Sequence, residues 1–200
     1  MPGPPFLHGE RVDHHTVVEA DAEFIARGRN DPAIRPWLRR SRPHAVVEVR
    51  EDVEGYMSDD GDGLGLLACV DGDPVGLLSM FTFEADSGRA FIGARFVPEA
   101  QGKGHGTDAV GRLVEFGFDE RRLHRIGAGA RADNDASRAM LETLGFSRRA
   151  ATASTTTSRA STSTGSRTAC SNRSDVRTDY GTAIARLSPV LRNQVVAIRR

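Results

Sequence analysis

Phe96-Val97-Pro98-Glu99-Ala100-Gln101-Gly102-Lys103-Gly104-His105-Gly106-Thr107 is the stretch on which the reading of this chain turns. An apolar run ends at Val97, a proline follows, and three glycines alternate before a helical pattern opens at Thr107. Alternating glycines let the backbone turn tightly and leave no Cβ between amide N–H groups and a ligand. The helix that follows adds the free N–H donors and partial positive charge of its first turn. Together these make a cradle for phosphate oxygens, with Lys103 as a point charge beside it. A plain strand-to-helix turn would carry the same glycines, so the flanking pattern must decide between them.

Upstream, residues 64–70 and 74–83 are apolar runs around Asp71-Gly72-Asp73, a strong hairpin signal. Ala85-Asp86-Ser87-Gly88 turns the chain, and residues 89–97 form the strand that enters the glycine stretch. Downstream, a helix over residues 107–121 presents Val110, Leu113, Val114 and Gly117 to a sheet. Residues 125–131 read as a short strand. Asn134 then caps a helix that runs to Leu144 and stops at Gly145. Toward the N-terminus, residues 11–18 read as a first strand and Asp21 opens a short helix through Phe24 and Ile25. Asp31-Pro32 opens another toward Leu38, against the strain of Pro36. In residues 44–57, Val46-Val47-Glu48-Val49 favours strand, while Val49, Val53 and Tyr56 follow helical spacing; we read helix. Asp59-Asp60-Gly61-Asp62-Gly63 is a turn, without the ligand series of a calcium loop. The order of elements implies an α/β (α+β) sheet with helices on both faces.

That order excludes two phosphate-binding classes. A dinucleotide fold places Gly-x-Gly-x-x-Gly after its first strand, whereas this stretch follows a middle strand and reads Gly-x-Gly-x-Gly. A nucleoside-triphosphate loop needs Ser or Thr directly after Gly-Lys, and Lys103 is followed by Gly104. Composition narrows the field further. No apolar run is long enough to span a bilayer, and Met1-Pro2-Gly3-Pro4-Pro5 lacks the regions of a signal peptide. Cys69 and Cys170 form neither a disulfide framework nor a metal spacing, so the cytoplasm is the expected compartment. The six histidines show no helical ligand pattern, and adjacent His14 and His15 point to opposite faces of a strand; no metal is expected.

With these residues in view, the chain resembles the GNAT N-acetyltransferase superfamily. The stretch ending at Thr107 is similar to that family's pyrophosphate motif, Gln/Arg-Gly-x-Gly-x-Gly/Ala. Leu123-His124-Arg125-Ile126, Ala132-Asp133-Asn134-Asp135-Ala136-Ser137 and Met140-Leu141-Glu142-Thr143-Leu144-Gly145-Phe146 resemble the Rim-type branch, which acetylates protein N-termini and small amines. The resemblance covers roughly residues 6–146. It implies a mixed, mostly antiparallel sheet that splays between the strand ending at Val97 and the strand starting at Arg125, with acetyl-CoA in the split. Backbone groups of Phe96 and Val97 would then meet the pantetheine arm. The amides from Gln101 through Gly102, Lys103, Gly104, His105 and Gly106 to Thr107 would meet the pyrophosphate. Asn134 matches a residue near the pantetheine, and it equally suits helix capping. Ser137 matches the hydroxyl near the thioester sulfur and is the candidate catalytic residue; the tyrosine that many relatives carry one turn later is Leu141 here. The implied reaction is direct attack of a primary amine on the acetyl thioester, with a base accepting the amine proton. Glu84, Asp86, His14 and Tyr56 are candidate bases, Glu115 and Glu142 read as helix-face charges, and His105 belongs with the phosphates.

The C-terminal quarter departs from this pattern. Where the family continues with two strands, 15 of the 28 residues from 151 to 178 are Ser or Thr. Residues 147–200 carry ten Arg and two acids, leaving 17 basic and 25 acidic residues in 1–146. This charge split would suit a nucleic-acid arm, but the tail has no aromatic residue apart from Tyr180 to interleave with its arginines. The expected division is an acetyltransferase domain over residues 6–149 and a low-complexity tail over 150–200. The tail reads either as a genuine polar appendage or as the out-of-frame translation of missing closing strands. The single lysine against 26 arginines, which suggests a GC-rich gene, motivates the second reading. Either way the strand at Arg125 is expected to lose neighbours, and an acyl-CoA-binding pseudoenzyme is the alternative to an active transferase.

Overall fold

The computed structural model describes residues 2–38, 42–57, 63–84, 87–147, 168–169 and 196–199. Its strands are β1 (Pro5–His8), β2 (Asp13–Thr16), β3 (Gly63–Val70), β4 (Asp73–Glu84), β5 (Arg89–Phe96), β6 (Arg125–Ala128), β7 (Thr168–Ala169) and β8 (Val196–Arg199). Its helices are α1 (Ala22–Asn30), α2 (Val46–Met57), α3 (His105–Asp119) and α4 (Asp135–Thr143). The strands form one sheet in the order β1-β2-β3-β4-β5-β6-β8-β7.

Alternation along the central strands decides what each face of this sheet holds. Leu66 and Ala68 of β3, Leu78 and Met80 of β4, and Ala90 and Ile92 of β5 point to one face, where Ala109, Val110, Leu113 and Phe116 of α3 cover them. The intervening residues Leu67, Cys69 and Leu77 point to the other face, beneath Ile25 and Ala26 of α1 and Val49 and Val53 of α2. Val49 and Val53 are fully buried, which resolves the ambiguous segment in favour of helix. The β3–β4 hairpin closes as its sequence demands: Asp71 and Gly72 both take positive φ, 52° and 83°, the twist a two-residue loop requires.

The sheet splits where the ligand site was expected. β5 pairs in parallel with β6 from Arg89↔Arg125 to Ile92↔Ala128 and then continues alone to Phe96. Residues 93–96 therefore offer a free strand edge on that side.

Several expectations are corrected. β1 was not anticipated, and β2 is shorter than the run over residues 11–18. The helix toward Leu38 is a single 3-10 turn, Arg35–Trp37, because Pro36 supplies no N–H and cannot continue a helix. α3 opens two residues before Thr107, and β6 stops at Ala128. The strand at Arg125 does not lose its outer neighbour: β8 pairs antiparallel with it from Arg125↔Arg199 to Gly127↔Ala197, and β7 pairs with β8. The apolar residues on either side of Pro189 suit helix by sequence; residues 196–198 are strand, and residues 183–195 lie outside the described residues. The turn residues 59–62 and 85–86, with candidate Asp86, also lie outside them. Among the described residues, no helix is long and apolar enough to cross a membrane.

Candidate active site

The glycine stretch turns the chain from β5 into the first turn of α3. A 3-10 turn, Pro98–Ala100, carries the chain off β5, and Gly102 and Gly104 take positive φ of 72° and 82°. Gly104 is the N-cap of α3, which is why the helix starts two residues earlier than the side-chain pattern suggests. Gly106 serves packing: a Cβ there would lie 3.3 Å from Met140 Sδ and 3.5 Å from the Phe96 ring. Among the described residues, no backbone N–H from Gly102 to Thr107 donates to a protein acceptor, so these donors are left free at the start of α3. Lys103 is exposed and His105 half-buried, with its Nδ1 enclosed and without a protein hydrogen bond.

The groups at Phe96 and Val97 are more committed than expected. The Phe96 carbonyl accepts from Gln101 Nε2 at 2.9 Å, so Gln101 braces the loop through its side chain. Val97 donates its N–H to Val75 O at 2.9 Å and accepts from Ala100 N at 3.0 Å. Each carbonyl keeps a second lone pair for a ligand; the Val97 N–H is used.

A cation from the other end of the chain joins the cradle. Asp108, in the first turn of α3, accepts from the N–H groups of Glu10, Arg11 and Val12 at 3.2, 3.0 and 2.9 Å. This pins the β1–β2 hairpin tip against the helix start. Arg11 Nη1 then donates to Lys103 O at 3.3 Å, and a Cβ on Gly104 would lie 3.3 Å from the same atom. Sequence reading missed Arg11, and no local signal marks a contact between residues 92 positions apart.

α4 is aligned with the cradle. Met140 meets Gly106, and Leu144 Cδ2 lies 3.2 Å from where a Cβ of Gly111 would sit. Ser137, one turn before Met140, shares that helix face. Ser137 is half-buried, and its hydroxyl makes no protein hydrogen bond among the described residues. Asn134 caps α4, its Oδ1 accepting from Ser137 N at 3.0 Å. The loop before it is held by Arg131, which binds Asp133 through two hydrogen bonds and stacks 5.8 Å from the Trp37 ring centroid.

The candidate bases separate by position. His14 is fully buried on the α3 side, with Nε2 2.9 Å from Ala109 O, and burial lowers its pKa; it supports structure and is withdrawn as a base. Glu84 accepts from Ser87 Oγ at 2.7 Å at the far end of β4. Glu115 ion-pairs with Arg112 on the outside of α3, as a helix-face charge. Tyr56, on α2, lies over the α1–α2 face of the sheet: its ring covers Gly65 of β3, where a Cβ would come within 2.5 Å of it. Cys69 is buried and its thiol is pushed up to about 12, so it is no nucleophile.

Residues 13–147 match the family model described as an acetyltransferase (GNAT) domain. The chain belongs to the GNAT acetyltransferase family. A Bacillus subtilis protein named for ribosomal N-acetyltransfer, YdaF, is 29% identical over 148 residues, covering 68% of this chain and 80% of that protein. RimJ of Mycobacterium smegmatis, solved in complex with CoA-disulfide, aligns with a TM-score of 0.67 and 26% identity over 76% of this chain and 80% of its own. The spermidine N-acetyltransferase of Vibrio cholerae, solved with CoA and spermine, shares the fold at a TM-score of 0.71 and 16% identity over 78% of this chain and 92% of its own. The chain is accordingly an acetyltransferase of the GNAT family, similar to RimJ and to a relative named as a ribosomal N-acetyltransferase.

Proposed function

We propose that this acetyltransferase moves the acetyl group of acetyl-CoA to a primary amine, a protein N-terminus or a small-molecule amine, by direct attack. The observation that carries the reading is the set of free amides from Gly102 to Thr107 at the head of the split between β5 and β6. Those amides, with Lys103 and Arg11, hold the pyrophosphate at a helix N-terminus. The free edge of residues 93–96 takes the amide-bearing arm as an added strand would be taken. Acetyl-CoA supplies an activated acyl carbonyl. Backbone N–H of the β5 edge steadies the oxyanion, and the Ser137 hydroxyl donates to the departing thiolate. Asn134 fixes that hydroxyl by holding the first turn of α4.

The alternative is an acyl-CoA-binding pseudoenzyme. It is favoured by the tail: beyond α4, the described residues supply only β8 and the two-residue β7 as regular elements. We assign residues 6–149 to the transferase domain and 150–200 to the tail, and the cytoplasm as the compartment. Resequencing the gene around Phe146 tests the frame, and an intact frame excludes a shift. Thiol release from acetyl-CoA with N-terminal peptides and polyamines tests the activity. Turnover establishes the transferase; saturable CoA binding without turnover establishes the pseudoenzyme.

A further inference from the structure

The α1–α2 face of the sheet carries a trough that the cofactor reading does not use. Gly65, Ser79 and Gly93 stand opposite one another across β3, β4 and β5, so the middle row of this face has almost no side-chain height. Ser79 Oγ sits 3.1 Å from where a Cβ of Gly93 would be. On one side of the row, Phe81 and Phe91 stack with ring centroids 6.3 Å apart. On the other side lie Leu77 and Arg95, paired across β4 and β5, and the Tyr56 ring covers the Gly65 end of the row. The trough runs toward the point where β5 and β6 part, just past Ile92↔Ala128.

Arg95 is the unexplained group in this wall. It is half-buried and makes no hydrogen bond or ion pair with any described residue. The nearby carboxylate that could serve it, Asp52, is paired with Arg29, whose side chain is 4% exposed. Burial first and the Arg29 charge second lower the Arg95 pKa to about 10, against the pull of Tyr56 and Asp52, so it stays a cation at neutral pH. Two guanidiniums facing one carboxylate leave this wall net positive. A cation partly shielded from water and without an anion is held at a cost that a carboxylate on a ligand would offset.

We propose that Arg95 is a specificity-determining residue that binds a carboxylate on the acceptor, which makes the preferred substrate an amine bearing an acidic group. This rests on the transferase reading of the same site. Arg95 and Gly93 are two residues apart on one strand, roughly 6.6 Å. The acceptor's amine and carboxylate are therefore separated by about one to two residues of extended chain. The positive wall repels polycations, and spermidine is excluded as an acceptor.

The test compares peptide pairs with Glu or Gln at the first or second position, and spermidine, in thiol release from acetyl-CoA. The Glu member of at least one pair is used about 10- to 100-fold better in kcat/KM, as expected for a charge-assisted contact. Arg95→Gln removes that preference, lowering kcat/KM for the Glu peptide to that for the Gln peptide of the same pair; Arg95→Lys retains part of it. Equal use of Glu and Gln peptides, preferred use of spermidine, or a preference that survives in Arg95→Gln overturns the inference and leaves the transferase reading standing. If no peptide is turned over, calorimetry of the same pairs on the CoA-loaded chain decides. Tighter binding of the Glu peptide, lost in Arg95→Gln, supports the carboxylate site although the transferase reading fails. Equal or absent peptide binding there overturns it.

Discussion

The proposed cofactor side of this molecule and its proposed acceptor side are built in opposite ways. The cradle is contiguous: β5, the turn at Pro98–Ala100, the glycines and the first turn of α3 follow one another along the chain. The trough is assembled from Tyr56, Gly65, Ser79, Gly93 and Arg95, which three different strands and α2 bring to one face. A site made of consecutive backbone amides survives as a motif. A site made of side chains on separate elements exists only once the sheet is paired.

The largest expected effect is on the contiguous side. Gly104→Val forces a β-branched residue to φ near 82° beside Arg11. It should lower kcat/KM for acetyl-CoA about 100-fold in a thiol-release assay. An activity within threefold of the wild type would show that the cradle does not depend on this conformation. Asp108→Ala comes next, because three N–H groups lose a shared carboxylate. We expect about 2–4 kcal/mol lower stability in urea unfolding and a raised KM for acetyl-CoA as the hairpin is released.

Arg11→Ala isolates the long-range part of the cofactor side. It should raise KM for acetyl-CoA about three- to tenfold, leave kcat unchanged, and weaken the salt dependence of KM. Unfolding midpoints should not move by much, since Arg11 is exposed. A kcat effect instead would place Arg11 nearer the reacting atoms than the geometry allows.

The smallest effect separates a structural histidine from a catalytic one. His14 has its pKa lowered below 6.5 chiefly by burial, with Asp108 opposing and Arg112 adding to the shift. Below pH about 6.5 the unfolded chain takes up a proton that the folded chain resists, so stability falls on acidification through this group. Above that pH both states are neutral and the contribution vanishes. His14→Gln should flatten the stability–pH curve between pH 5 and 7 and leave the pH–rate profile unchanged.

The same contrast governs how much could be read in advance. Asp71-Gly72 announced its hairpin because two positive φ values suit few other dipeptides. Gly102 and Gly104 announced the cradle for the same local reason. Asn134 was legible as a cap, and its side chain does bond Ser137 N. β1 was not legible, since its prolines obscure a strand that Phe6 extends against Phe116 at 5.4 Å. The clamp from Asp108 to residues 10–12 spans nearly half the chain. Arg95 looked like any polar residue alternating in a strand; only the pairing of Asp52 with Arg29 reveals it as a cation without a counterion. The outer strand β8 comes from a tail whose composition gave no strand signal.

Amide chemical-shift mapping on CoA addition tests the central claim most directly. The account predicts saturable one-to-one binding, with the largest backbone N–H shifts at residues 102–107 and smaller ones along residues 93–97. CoA binding that leaves residues 102–107 unmoved, or no binding at all, would contradict it.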